Sequence, residues 1–227
     1  NDTAAGLEPE KAKTYELGTR YDNGSWGGEI TLFYIDFDDE LQYVSNDVGW
    51  TNLGATKHQG IETSGHYDFA ALDPRLVGLS VYGSLTYTRA TYEGDIPSFK
   101  GRDLPLYSRQ VATAGVRYEV DRWTYNLDAF AQSMQRAPGL STDSQGNFTH
   151  NYITEPSADG QYGDIPGYVT WNARVGYDFG PQASNLKLGL GVKNLFDKQY
   201  FTRSSDNNSG IYVGQPRTLF MQASVGF

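Results

Sequence analysis

The stretch Val169-Thr170-Trp171-Asn172-Ala173-Arg174-Val175-Gly176-Tyr177-Asp178-Phe179 alternates without a break. Val, Trp, Ala, Val, Tyr and Phe fall on one side, and Thr, Asn, Arg, Gly and Asp on the other. A period of two means an extended strand with one apolar and one polar face. The run is about twice the usual strand length of globular proteins, which is roughly 5 to 6 residues.

The same pattern recurs outward in both directions. Trp123, Tyr125, Leu127, Ala129 and Ala131 stand against Thr124, Asn126, Asp128 and Gln132. Ile61, Thr63, Gly65, Tyr67 and Phe69 stand against Glu62, Ser64, His66 and Asp68. At the C-terminus Leu219, Met221, Ala223, Val225 and Phe227 oppose Gln222, Ser224 and Gly226. Nine strands are predicted, over 13–23, 26–45, 53–69, 79–94, 107–120, 122–137, 167–179, 186–202 and 214–227.

Connection lengths add an orientation. Asp22–Ser25, Ala70–Gly78, Val120–Arg122 and Gly180–Asn185 are short turns. Between them lie longer or more polar segments at 46–52, 95–106, 138–166 and 203–213. Alternating short and long hairpins are the pattern of an outer-membrane barrel, with tight periplasmic turns and long outer loops. Tyr21, Trp26, Phe69, Trp123, Phe179 and Phe227 flank the short turns or the terminus, and Tyr43, Tyr87, Tyr107 and Tyr200 lie toward the other ends. Two aromatic girdles at the membrane boundaries are expected from this placement.

Composition permits this reading without deciding it. Hydrophobic residues are 38% of the chain, and no run approaches the roughly 18 to 20 apolar residues of a membrane helix. Tyr at 17 and Gly at 26 suit a barrel that shows only every second strand residue to lipid, and also suit a soluble all-β domain. A net charge of −9 argues against generic nucleic-acid binding. With no cysteine, disulfides, thiolate metal sites and Cys nucleophiles are excluded.

An odd strand number is unsuited to a complete bacterial barrel, and an open sheet of this size would leave two long edges. No signal peptide is visible, and Asn1 is not a natural initiator. The expectation is a piece of a larger barrel.

Several segments resemble TonB-dependent transporters. They are Leu7-Glu8-Pro9-Glu10 followed by Tyr15-Glu16-Leu17-Gly18-Thr19-Arg20-Tyr21, then Asn194-Leu195-Phe196-Asp197-Lys198-Gln199-Tyr200, and Gly214-Gln215-Pro216-Arg217-Thr218 through the terminal Phe227. Within that family, Tyr200 through Tyr212 is similar to the last outer loop of ferric-citrate transporters, as is the run from Ser157-Ala158-Asp159-Gly160 to Gly180-Pro181-Gln182. The resemblance implies an all-β, antiparallel transmembrane β-barrel of 22 strands filled by an N-terminal plug. Residues 1–227 would form one domain, about the last nine strands, with the plug and the earlier strands lying outside this chain. It further implies residence in the outer membrane of a Gram-negative bacterium, contact with outer-membrane lipid and lipopolysaccharide, and energy coupling by the TonB–ExbB–ExbD complex through the plug. No intrinsic cofactor is implied; a ferric chelate, ferric citrate or a similar one, is the transported ligand.

An anionic chelate calls for cationic or neutral hydrogen-bond donors in the outer vestibule. The resemblance puts a ligand-contacting Asn at Asn207, with Arg203 in the same loop. Gln42 is added because its parity matches Tyr34, Asp36 and Glu40, which are taken as facing the lumen. The bland alternatives are a turn residue for Asn207, a solvated charge for Arg203 and an ordinary lumen polar residue for Gln42. Asp36, Asp38, Asp39 and Glu40 are read as a hydrated lumen face rather than a cation site. His58, His66 and His150 lack metal-ligand spacing, and neither a G-x-S-x-G elbow nor a phosphate-binding glycine loop is present. The chain is expected not to be an enzyme. A receptor for another ferric siderophore, a soluble carbohydrate-binding or hydrolytic β-protein and a passive porin are the competing readings.

Overall fold

Alternating sequences of this length have to pair laterally, because each strand carries a full row of backbone donors and acceptors on both edges. In the computed structural model they do so in chain order. It describes residues 7–39, 41–45, 49–52, 54–93, 100–137, 141–142, 148–149, 164–204 and 211–226. One nine-stranded antiparallel sheet contains β1 (Lys11–Asp22), β2 (Trp26–Asp38), β3 (Thr56–Asp68), β4 (Leu79–Tyr92), β5 (Gln110–Val120), β6 (Trp123–Gln132), β7 (Tyr168–Asp178), β8 (Lys187–Lys193) and β9 (Thr218–Ser224). Each expected strand is present, and each hydrogen-bonds to its sequence neighbours.

Register fixes the two faces. One row of partners runs Trp26, Tyr67, Val81, Val116, Leu127, Ala173, Val192, Leu219. Every member is apolar. The row begins beside the β1–β2 turn and ends at the loop end of β8, and this steady climb is the stagger that barrel closure requires. The parallel row Gly27, His66, Tyr82, Gly115, Asp128, Asn172 lies on the opposite, polar face.

The apolar face is not packed against protein. Leu32, Val116, Leu127 and Leu190 all lie on strands paired on both edges, yet they are 52%, 43%, 42% and 57% exposed. Buried hydrophobic residues are few, namely Ala90, Tyr92, Leu104, Ala137 and Ile165 among the described residues. A water-soluble sheet of this size would bury such a face; one whose solvent is lipid leaves it bare. The soluble β-protein reading fails on this point.

Turns close one end tightly. Asn23-Gly24-Ser25 links β1 to β2, with Gly24 at φ 87°. Short 3₁₀ turns at Phe69–Ala71 and Pro74–Leu76 link β3 to β4 and are N-capped by the side chains of Asp68 and Asp73. Asp121 and Arg122 link β5 to β6, and Pro181–Ala183 lies between β7 and β8. Tyr21 and Trp26 pack at 4.6 Å, and Trp123 and Tyr177 at 4.7 Å, forming an aromatic row at this turn end. Among the described side chains, which do not include Tyr43, the upper girdle is thinner than expected. Tyr87 is on the apolar face, but Tyr107 turns to His58 at 5.1 Å and Tyr200 stacks on Tyr168 at 4.1 Å.

Two strands end sooner than alternation alone implies. β2 leaves the sheet at Asp38, and Asp39 takes φ 60° before the hairpin Leu41–Ser45 with Gly49–Asn52. β8 ends at Lys193, where Asn194 (φ 50°) and Asp197 (φ 54°) adopt the left-handed conformation that Asn and Asp tolerate best. Phe201–Ser204 then pairs with Ile211–Val213 as a separate hairpin.

Candidate functional site

The end opposite the short turns is built from hairpins that continue the sheet. Beyond β4, Leu104 N–H donates to the Ala90 carbonyl at 2.9 Å and Tyr92 N–H to the Arg102 carbonyl at 3.0 Å. Gln135 and Arg136 pair with Asp164 and Ile165. Leu106 N–H reaches the Arg136 carbonyl at 2.8 Å, and Gln135 Nε2 donates to the Thr202 carbonyl at 2.6 Å. These bonds brace the 100–109, 133–137, 164–167 and 201–204 segments into one wall.

Two of its cations are neutralised within that wall. Arg109 Nη2 holds both Asp103 oxygens at 2.8 and 2.7 Å, and Asp103 keeps the guanidinium above its ordinary pKa. Arg136 is in contact with Asp164. Arg203 sits opposite Tyr212 in the 201–204 hairpin, exposed, with its guanidinium carbon 5.7 Å from the Tyr212 ring centre. Cation–π stacking of this kind fixes the group while leaving donors directed away from the ring.

Asn207 lies outside the described residues. Gln42 is opposite Thr51 in the 41–45 hairpin. The parity argument that placed it does not carry through. Tyr34 and Asp36 share a face with Leu32 and Ile30, the apolar one, and the strand is interrupted at Asp39 before Gln42. The hairpin of Gln42 rises from β2 and β3, and that of Arg203 from β8 and β9, so most of the sheet lies between them. Of the acidic run, Asp36 and Asp38 share the apolar-face parity rather than the lumen one, and Asp38 lies 3.7 Å from Lys13; Glu40 lies outside the described residues. His58 and His66 do share the polar face, but His58 is buried against Phe37 and Tyr107, while His66 lies 3.9 Å from Asp22 at the turn end. No metal-binding cluster occurs among the described residues.

A set of polar-face residues that the sequence reading did not single out links strands laterally. Tyr82 donates to Asn126 Oδ1 at 3.1 Å, and Asn126 donates to Asp128 at 3.0 Å. Asn172 donates to Asp128 at 2.7 Å and accepts from the Asn194 N–H at 3.1 Å. Asn194 is 3% exposed. Its Nδ2 donates to the carbonyls of Lys198 and Gln215 at 2.9 and 3.0 Å, and its Oδ1 accepts from Lys198 N–H at 2.8 Å. The only signal for this in the sequence was the N-L-F-D run itself. Its Asn is a buried junction, and its Phe196 turns outward to meet Trp171 edge-on at 6.4 Å.

Comparison with known proteins agrees with this architecture. The family model described as TonB dependent receptor-like, beta-barrel matches residues 1–195. The crystal structure of the unliganded ferric citrate transporter FecA superposes with a TM-score of 0.79 at 43% identity, covering 96% of this chain and 31% of that one. The ferric-pyoverdine M114 receptor PbuA of Pseudomonas sp. (strain M114) is 35% identical across 97% of this chain and 25% of its own length. The metal-pseudopaline receptor CntO of Pseudomonas aeruginosa is 26% identical across 97% of this chain and 28% of its own. This chain thus spans about a quarter to a third of the proteins it matches.

Proposed function

The chain belongs to the TonB-dependent receptor β-barrel family, and on that premise we propose that it forms barrel wall and outer vestibule of a receptor importing a ferric chelate, with ferric citrate as the ligand. It resides in the outer membrane of a Gram-negative bacterium and is not an enzyme. The chelate is cargo, with no resident cofactor indicated. The observation carrying the substrate is the likeness to the ferric citrate transporter, which covers 96% of this chain at 43% identity.

Within this proposal Arg203 and Asn207 supply donors to the bound anion from the last outer loop, and Gln42 contributes from the hairpin above β2. The Arg203 stack on Tyr212 supports its part, since a fixed guanidinium loses little freedom on meeting a carboxylate. Residues 1–227 act as one barrel domain. The loops close over the ligand, and TonB, energised by ExbB and ExbD, pulls on a plug contributed by the rest of the receptor to open the path.

Tryptophan quenching or calorimetry on the full receptor with ferric citrate tests this reading, wild type against Asn207→Ala and Arg203→Gln. Each variant is expected to weaken binding about tenfold, in the range of one charge-assisted hydrogen bond. Undiminished affinity removes that residue from the site. Absence of binding to the wild type sinks ferric citrate and favours the second reading, another ferric siderophore, which the name of the ferric-pyoverdine receptor supports. Competition uptake separates the two.

A further inference from the structure

The polar face, which is the lumen side of the barrel, is charged unevenly. On β8 it carries Lys187, Gly189, Gly191 and Lys193, and beside them on β9 stand Ser224, Gln222, Phe220 and Thr218. None of these is a carboxylate. Arg174 of β7 pairs with Gly191 and shares the face. Its side chain swings toward the turn end: a Cβ on Gly189 would lie 3.0 Å from its Nη2 and 3.1 Å from its Nε. The missing side chain at Gly189 is the room that the guanidinium occupies. Lys193, the Arg174 guanidinium and Lys187 thus form a column down one wall, spanning roughly 20 Å at ~3.3 Å per residue. On β1–β3 the same face carries Glu16, Asp22, Glu29 and Glu62, with Arg20 alone among Lys and Arg in the described residues.

Toward the turn end the column opens into a cavity of about 610 Å³, bordered by Arg117, Arg122, Arg174 and Lys187 together with Asn126 and Gln222. Of the acids on its border, Asp178 holds Lys187 at 2.9 Å, Glu119 is in contact with Arg117, and Asp121 belongs to the β5–β6 turn. Arg174 and Lys193 are exposed and make no ion pair among the described residues. Lys193 Nζ stands 5.9 Å over the Phe220 ring. A cleft lined by one sign of charge focuses the field on an ion of the other sign. Several weak sites in series let that ion move, where one strong site would hold it.

Resting on the ferric-chelate reading above, we propose that Lys193, Arg174 and Lys187 pass the anionic polycarboxylate chelate down the lumen wall of β7–β9 after it leaves the outer vestibule. Arg174 is the middle station. Its guanidinium presents a planar fork of donors that matches a carboxylate, and no protein carboxylate among the described residues competes for it. The acidic wall of β1–β3 repels the same anion, so the descent is confined to the basic side. Arg174 acts on movement of the cargo and not on its capture, which belongs to the outer loops.

Two measurements on the full receptor test the proposal: equilibrium binding of ferric citrate to the purified protein, and energised uptake of radiolabelled iron as ferric citrate by cells that express it. Arg174→Gln is expected to lower the maximal uptake rate about fivefold, the effect of one lost charge-assisted contact on a barrier, with KM and equilibrium affinity as in wild type. Arg174→Lys is expected to keep most of the rate and Arg174→Glu to have the lowest. Heat-modifiable gel mobility verifies that each variant is folded; if Arg174→Glu does not fold, the Gln and Lys variants decide. Wild-type uptake by folded Arg174→Gln overturns the proposal. So does an equal loss in the Lys and Gln variants, which marks a contact made by the guanidinium's shape and not its charge. Wild-type receptor that does not bind ferric citrate fails the substrate reading and this one with it; wild-type binding with unchanged variant uptake fails this one alone.

Discussion

The side-chain amide of Asn194 donates to the backbone carbonyl of Gln215 at 3.0 Å, tying the exit of β8 to the segment that opens β9. The same side chain holds the carbonyl and the N–H of Lys198. One buried residue thus satisfies three backbone groups that no strand ladder serves, at a left-handed φ of 50°. Asn194→Ala in the full receptor is expected to cost about 2–4 kcal/mol, since it strands buried polar groups. Asn194→Asp is not expected to rescue it, because a carboxylate keeps the acceptor and loses both donors. Urea unfolding followed by tryptophan fluorescence measures both; an Asp variant as stable as wild type contradicts the assignment.

Glycines on the polar face lie beneath large side chains. A Cβ on Gly191 would meet the Phe220 ring at 2.2 Å, and one on Gly115 the Tyr82 ring at 2.3 Å. A ring can swing aside, at a cost typical of overpacking, about 1–3 kcal/mol. At Gly60 the Cβ would fall 1.9 Å from the Tyr87 backbone carbonyl. Backbone paired on both edges has no such escape. Gly60→Ala is therefore expected to impair barrel assembly more than Gly191→Ala, as read by heat-modifiable mobility after expression. Equal effects would show that the neighbour's ability to move does not decide the outcome.

Leu127 and Asn126 are sequence neighbours on opposite faces of β6. Leu127→Arg puts a cation in the middle of the lipid-facing band and is expected to cost about 2–4 kcal/mol. Asn126→Arg stays on the polar face; it breaks the bonds to Tyr82 and Asp128 but keeps the charge in a polar environment. It is expected to cost about 1–2 kcal/mol. Folding titrations into lipid vesicles compare them; a reversed order would invert the assignment of the two faces.

Asp73 caps the second 3₁₀ turn between β3 and β4 and grips Arg75, with Nη2 to Oδ2 at 2.8 Å. The Arg75 side chain first, then its backbone N–H, hold the carboxyl below its ordinary pKa. A depressed acid contributes order above its unfolded pKa of about 3.9 and loses it as pH falls through the lower folded value. Amide exchange at Arg75 is expected to accelerate, relative to the intrinsic rate, as pH drops below about 4. In Asp73→Asn that pH dependence should vanish. A profile shared by both proteins would place the titrating group elsewhere.

Much of the architecture was already written in the alternation. Period-two runs in Ile61–Phe69, Trp123–Gln132 and Val169–Phe179 dictated strands, their two faces and their order, because each side chain's face follows from its position alone and short turns such as Asn23-Gly24-Ser25 leave neighbouring strands no choice but to pair. The family followed from motifs that survive as residue identities. Alternation could not tell where a strand leaves the sheet: Asp39 and Asn194 end β2 and β8 through a left-handed φ that Asp and Asn tolerate without requiring it, so parity counted past Asp39 does not reach Gln42. Nor could it show that Tyr107 and Tyr200 turn from the girdle to His58 and Tyr168, or that Asn194 is buried. Those depend on register and stagger between segments far apart in the chain, which only lateral pairing sets.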